Sequence, residues 1–141
     1  MHILAVDPGR EKCGVAVMTP DRRLLERRVV GRSELLGALS EARRKYGPFQ
    51  LVVGDRTGSK ELLDELAGSP LLAGLPPVCM VDEHLSSLEA RERYFRDNPP
   101  RGLRRLIPRT LQVPPVPYDD YVAVILAERY LEGEGPGGER R

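Results

Sequence analysis

Three strand-like runs joined by short turns, followed by two more that alternate with helices, leave this chain few folds to adopt. Residues 2–7 (HILAVD) and 13–18 (CGVAVM) are apolar runs joined by the turn sequence DPGREK, and they read as an antiparallel hairpin. A third run, Arg23 to Val30, carries more charge and is expected at a sheet edge. Ser33 is then expected to cap a helix in which Leu35, Leu36, Leu39, Ala42 and Tyr46 recur at helical spacing, and Gly47 with Pro48 ends it. QLVVG (50–54) reads as a short buried strand. Leu62, Leu63 and Leu66 mark a second helix after the turn DRTGS, and PVCMVD (77–82) is a fifth strand. Ser86 and Glu89 have the spacing of a capping box for a third helix that runs to about Arg96. From Asp97 to Tyr118 six prolines and the lack of a clear period predict a loop, after which Asp119 opens a last helix. Tight turns join antiparallel strands, whereas parallel strands need a crossover, here supplied by helices. The order therefore predicts an α/β fold, an antiparallel three-strand meander plus parallel strands in one mixed sheet, with helices on both faces.

With 141 residues the chain is expected to form one domain over residues 1–132, and the polar stretch 133–141 to be a disordered tail. A balance of 22 Lys and Arg against 21 Asp and Glu excludes a general basic coat, so any nucleic-acid surface must come from uneven placement of charge. Cys13 and Cys79 form no CxxC pair and lie in apolar runs, as expected of reduced cysteines in a core. No stretch approaches the ~18 apolar residues of a membrane span, and the N-terminus does not read as a signal peptide. The expected location is the cytoplasm, without membrane contact.

Three acids stand at element ends: Asp7 closes the first strand, Glu83 follows the fifth, and Asp119 starts the final helix. Singly, each has a local explanation as a turn residue, a solvated loop residue or a helix cap. Together they point further. If the first strand is central and the later parallel strands lie beside it, their carboxyl ends share one edge, where open sheets hold ligands. Strands ~4.8 Å apart let carboxylates one or two strands distant converge on hard cations. Two-metal cleavage of phosphodiesters needs such convergence, with ions ~3.5–4 Å apart that activate water and stabilise the leaving oxygen.

The same residues resemble a known family. ILAVDPGREKCGVAV looks like the opening of the YqgF/RuvX family, a strand ending in Asp followed by x-G-x-x-R-x-G-V-A-V. VDEHLSSLEARERYF resembles the family's D-E-R-L-[ST]-[ST]-x-E-A motif, and DDYVAVILAERYL its terminal D-x-x-A-A-x-x-I-L-x-x-Y helix. The motifs run in order across residues 3–131. The resemblance implies the RNase H-like fold of RuvC-type resolvases. It also implies a nuclease using Mg²⁺ or Mn²⁺, whose relatives are described as processing the 5′ end of the small-subunit (16S) ribosomal RNA precursor and, earlier, as Holliday-junction resolvases. Carried over residue by residue, the family's acids fall on Asp7, Glu83 and Asp119. Asp120 competes for the last place, and Asp119 is preferred because it keeps Ala123, Val124, Ile125 and Leu126 in register with the apolar helix.

Three departures bear on the site. Lys12 stands where the family has Arg, which keeps the charge but loses the bidentate fork. His84 replaces the Arg of D-E-R. V-G-D-R stands where V-G-L-P is usual, so Asp55 adds a carboxylate expected on the strand beside the first, within reach of the same cation, or else serving as a turn cap on Gly58 or Ser59. Phosphates need cations and N–H donors. Arg56, Thr57, Gly58 and Ser59 enter a helix N-terminus, and PPRGLRRLIPRT supplies Arg101, Arg104, Arg105 and Arg109 with no acid between them. Aromatics are scarce, so the backbone rather than the base sequence is expected to be read. The expected partner is structured RNA or branched DNA, bound by a monomer or homodimer. A nucleic-acid-binding module with weak or lost catalysis is the further alternative.

Overall fold

Runs that are apolar at every position need cover on both faces, and the first two strands obtain it at the centre of the sheet. In the computed structural model, which describes residues 1–56, 58–100, 102, 106–108, 114 and 116–133, β1 (His2–Asp7) is the middle of five strands. On one side it pairs antiparallel with β2 (Lys12–Met18), which pairs antiparallel with β3 (Leu24–Gly31). On the other it pairs parallel with β4 (Phe49–Gly54), which pairs parallel with β5 (Cys79–Val81). The order β3-β2-β1-β4-β5 leaves the charged third strand at an edge, as its sequence predicts.

Alternation along each strand sends successive residues to opposite faces, and helices cover both. α1 (Leu35–Tyr46) and α2 (Ser59–Ala67) bury Leu35, Leu39, Leu62 and Leu66 against Leu4, Val6, Val17, Leu51 and Val53. α3 (Ser86–Asp97) and α4 (Asp119–Leu131) lie on the face formed by Ile3, Ala5, Ala16, Met18 and Val52. Each Val, Leu, Ile or Met among these contributes about 1.5–3 kcal/mol on full burial. α4 is buried continuously from Asp120 to Ala127, because it has the sheet on one side and α3 on the other. Arg93 of α3 clamps Glu128 of α4 through two hydrogen bonds of 3.0 and 2.6 Å. Cys13 and Cys79 belong to opposite faces of the sheet. Among the described residues no helix is long and apolar enough to cross a membrane.

Both predicted serine caps are corrected by the structure. Ser33 lies within a 3₁₀ turn, Arg32–Glu34, and α1 starts after it with Glu34 at the cap position and no side-chain hydrogen bond there. The Arg32 N–H still bonds to the Glu11 carbonyl at 2.8 Å, which delays the chain's departure from the sheet and tightens its entry into the helix. At α3 the capping box does not form. Leu85 occupies the cap position with φ 61°, and Ser86 is the first helical residue, its hydroxyl buried without a hydrogen-bond partner among the described residues. A serine cap needs an extended backbone, and the left-handed turn at Leu85 takes that place. β5 is also shorter than its apolar run, since Pro76 and Pro77 have no N–H for the ladder. Between Asn98 and Tyr118 the described residues hold no α-helix or strand.

Candidate active site

The register fixes where the acids meet. Asp7 pairs with Gly14 of β2, and the parallel register of β1 with β4 sets Val6 beside Val53, so that Gly54 follows next to Asp7. Gly54 in turn pairs with Val81, two residues before Glu83. The carboxyl ends of β1, β4 and β5 thus form one edge, with a glycine on each flank of Asp7.

Both glycines make room for what lies over them. A Cβ on Gly14 would collide with the carbonyl oxygen of Asp119, so the missing side chain lets the first turn of α4 rest on β2 beside Asp7. A Cβ on Gly54 would collide with the carboxylate of Glu83, which therefore reaches across β4. Asp7, Glu83 and Asp119 consequently line one cleft of about 260 Å³, together with Gly9, Arg10, Arg56 and Ser87. The carboxyl groups of Glu83 and Asp119 both lie close enough to that of Asp7 to interact with it electrostatically.

Burial and mutual repulsion make this cluster electrostatically costly. Desolvation, then the charges of Glu83 and Asp119, push the Asp7 carboxyl up to about 8, against a smaller opposing effect of Arg56. Burial likewise raises Glu83, which is 2% exposed, although the Arg56 N–H and the Asp7 carboxyl both favour its charged form. Asp119 is raised by burial and by its neighbour Asp120, with Lys12 opposing.

The two aspartates that open α4 face different surroundings. Asp119 meets Asp7, whereas Asp120 forms a 2.8 Å ion pair with Arg27 of β3, whose guanidinium lies 4.2 Å from the centre of the Tyr121 ring. Asp55 follows Gly54 at the same sheet edge, but its Oδ1 accepts the Glu83 N–H at 3.2 Å and it does not line the acid cleft. Its own N–H donates to the Val81 carbonyl at 3.1 Å, while the Ser59 N–H donates to the Arg56 carbonyl, also at 3.1 Å. Asp55 therefore braces the loop that carries Glu83, and the Ser59 N–H is taken by the Arg56 carbonyl rather than by Asp55.

Arg56 joins the same brace. Its N–H donates to Glu83 Oε2 at 3.4 Å and its Nη1 to Ser87 Oγ at 3.4 Å. Lys12 is exposed at the start of β2. Ser59 is the first residue of α2, after Gly58 at φ 95°, and Gly58 sits against the Pro8–Gly9 turn. His84 is exposed, its N–H bonded to Asp82 Oδ1 at 2.9 Å. Thr57, Arg101, Arg104, Arg105 and Arg109 lie outside the described residues, as do residues 134–141. Arg10 and Ser87 line the cleft although their sequence positions do not single them out. Arg10 carries a signal, since it belongs to the turn that Asp7 begins, while Ser87 carries none beyond its closeness to Glu83.

Among the described residues no group of three or more His, Cys, Asp or Glu side chains is arranged to hold a metal ion as it stands. The donor chemistry nonetheless fits a hard divalent cation. Three carboxyl groups share one cleft, none is in an ion pair among the described residues, and burial with mutual repulsion favours a protonated form of Asp7 that a cation would replace.

No protein-family model matches the chain, and no curated protein matches it. Among solved structures it is similar to Thermus thermophilus RuvC in complex with Holliday junction substrate, at 18% identity and a TM-score of 0.58, covering 96% of this chain and 98% of that one. It is also similar to a structure of Thermus thermophilus RuvC at 15% identity, with a TM-score of 0.58 and the same coverage. With the mixed five-stranded sheet and its two helical layers, this likeness shows an RNase H-like fold of the RuvC type.

Proposed function

We propose that the protein is a divalent-metal-dependent nuclease that cleaves phosphodiester bonds in structured nucleic acid. The observation that carries this reading is the convergence of Asp7, Glu83 and Asp119, from β1, the β5–α3 loop and α4, on one buried cleft at the carboxyl edge of the sheet. These three would hold Mg²⁺ or Mn²⁺. When bound, the ion supplies Lewis-acid stabilisation of charge on the phosphodiester and activation of water. Asp55 and Arg56 act earlier, by fixing the backbone and one carboxylate oxygen of Glu83. The Arg56 and Arg10 side chains, on the same cleft, are suited to contact the phosphates on either side of the bond. Lys12, Ser59 at the start of α2, and Arg101, Arg104, Arg105 and Arg109 extend the contact along the backbone.

The resemblance of the three sequence motifs to the YqgF/RuvX family favours the 5′ end of the small-subunit ribosomal RNA precursor as substrate. Likeness in fold to a RuvC solved with a Holliday junction favours branched DNA as the second reading. Labelled ribosomal RNA precursor and four-way junction DNA, each incubated with Mg²⁺, Mn²⁺ or chelator, separate them. Metal-dependent cleavage of one substrate is expected. Tight binding without cleavage of either would leave a nucleic-acid-binding module, and neither binding nor cleavage would overturn the proposal.

A further inference from the structure

A second cavity, of about 470 Å³, opens beside the acid cleft and shares Arg56, Glu83 and Ser87 with it. Its remaining walls include Leu85 and Leu88, which are 56% and 50% exposed. Two large apolar side chains facing solvent next to a cluster of acids have no role in the core described above.

Leu85 is held there at a backbone cost. Its φ of 61° lies in the left-handed region that a leucine rarely occupies. The surrounding loop imposes it from several sides. The Asp82 carbonyl accepts from Arg129 Nη1 at 2.8 Å, the Glu83 carbonyl from the Ser86 N–H at 2.9 Å, and the Leu85 carbonyl from the Glu89 N–H at 3.1 Å. Strain that persists because its surroundings enforce it is a feature of ligand-holding segments.

We propose that this cavity receives an unpaired nucleobase of the substrate strand, adjacent to the phosphate at the acid cleft. The placement of that phosphate rests on the nuclease reading. Charge decides which part of a nucleotide fits. Arg56 lies on the side shared with the acid cleft, where the phosphate is placed; beyond it Asp55 and Asp82 on the cavity wall repel a phosphate, whereas Leu85 and Leu88 offer apolar contact to a ring. Asp82 uses one oxygen for the His84 N–H, and its other oxygen can accept from the exocyclic amino group of a base. A volume of this size falls in the ordinary range of small-molecule sites. A base stacked within a duplex cannot enter, so the strand must be unpaired beside the cleaved bond. This is the condition at a loop, a single-stranded end or a branch point.

The test uses a short single strand carrying 2-aminopurine and the same strand with an abasic site in its place. Both are titrated with Mg²⁺ against the Asp7→Asn protein, in which cleavage is suppressed. 2-Aminopurine emission should change on binding. Adding Leu85→Gly and Leu88→Ser should weaken binding of the 2-aminopurine strand about tenfold and leave binding of the abasic strand unchanged. Glycine adopts the left-handed conformation freely, so Leu85→Gly should keep or raise the melting temperature, which separates loss of the pocket from loss of the fold. Equal affinity of the leucine variants and their parent for both strands would overturn the pocket. If the unsubstituted protein cleaves with metal but is indifferent to Leu85 and Leu88, the pocket alone falls. If no substrate is cleaved while the strands still discriminate, the nuclease reading falls and base binding stands.

Discussion

Replacing Asp7 by Asn should stabilise the metal-free protein, a result opposite to that of most changes in a buried strand. The Asp7 carboxyl titrates at about 8 in the fold against 3.8 for an unperturbed aspartate. A raised value means that the fold favours the protonated form. The contribution to stability is therefore full below about pH 4, declines as the unfolded chain ionises, and is lost by about pH 8. Each unit is worth about 1.4 kcal/mol, and roughly three units separate the unfolded value from pH 7, so about 4 kcal/mol is lost there. Asparagine cannot ionise, matches the shape of the protonated acid, and keeps an N–H donor for Glu83 and Asp119. It should recover most of that loss, which for a chain of this length is a melting increase on the order of 10 °C. The assay is thermal and urea unfolding of both proteins with chelator, at pH 4 and pH 8. The advantage of the variant should be small at pH 4 and largest at pH 8. Mn²⁺ should narrow the gap, stabilising the parent by about 2.7 kcal/mol at a hundredfold excess over Kd while leaving the variant nearly unchanged. An Asn variant less stable than its parent at pH 8 with chelator, or an advantage that does not vary with pH, would refute the electrostatic account of the cleft.

Gly14→Ala should cost about 1–3 kcal/mol in urea unfolding, because the new Cβ displaces the first turn of α4, and it should abolish stabilisation by Mn²⁺ by moving Asp119 away from Asp7. Asp55→Ala should cost about 1 kcal/mol and weaken Mn²⁺ binding measured by calorimetry. Asp55→Asn, which keeps an acceptor for the Glu83 N–H, should restore both, whereas a direct ligand role for Asp55 predicts no rescue. Neutralising Arg101, Arg104, Arg105 and Arg109 together should weaken binding alike across sequences in fluorescence titrations. It should also reduce the slope against log salt by roughly 0.7–0.9 for each phosphate that is no longer neutralised, and an unchanged slope would remove these arginines from the interface.

The features legible in the chain are those that local chemistry controls. Period, turn residues and proline placement locate the strands and helices, and connectivity then requires the carboxyl ends of β1, β4 and β5 to share an edge. Asp7 and Glu83 are legible because a strand end has only one place to be in such a sheet. The less legible features depend on interactions between distant segments. Asp119 and Asp120 are neighbours on one helical turn; the apolar register of the helix favours Asp119, and Arg27 on β3, which takes Asp120, shows physically why Asp119 is left for the cleft. Asp55 looks like an extra ligand until its oxygen is seen to accept the amide of Glu83, a residue on another connection. The serine caps fail for the same reason. Arg32 remains tied to Glu11, and Leu85 is forced into a left-handed turn, so neither helix entry is decided by its own residues.

Gly14 and Gly54 carry a signal of another kind. Glycine inside an apolar strand weakens it, because it adds backbone entropy and packs nothing, so its presence in CGVAV and at the end of QLVVG has to be offset by something the sheet alone does not supply. In both places the compensation is close approach. The backbone of Asp119 lies on one glycine and the carboxylate of Glu83 on the other, with Asp7 between them. Glycines on both flanks of a strand-end acid therefore mark this edge as the place where other segments crowd in. The same crowding separates the two aspartates of α4, since it is the Asp119 carbonyl that rests on Gly14 and holds its own carboxylate beside Asp7, while Asp120 turns toward Arg27.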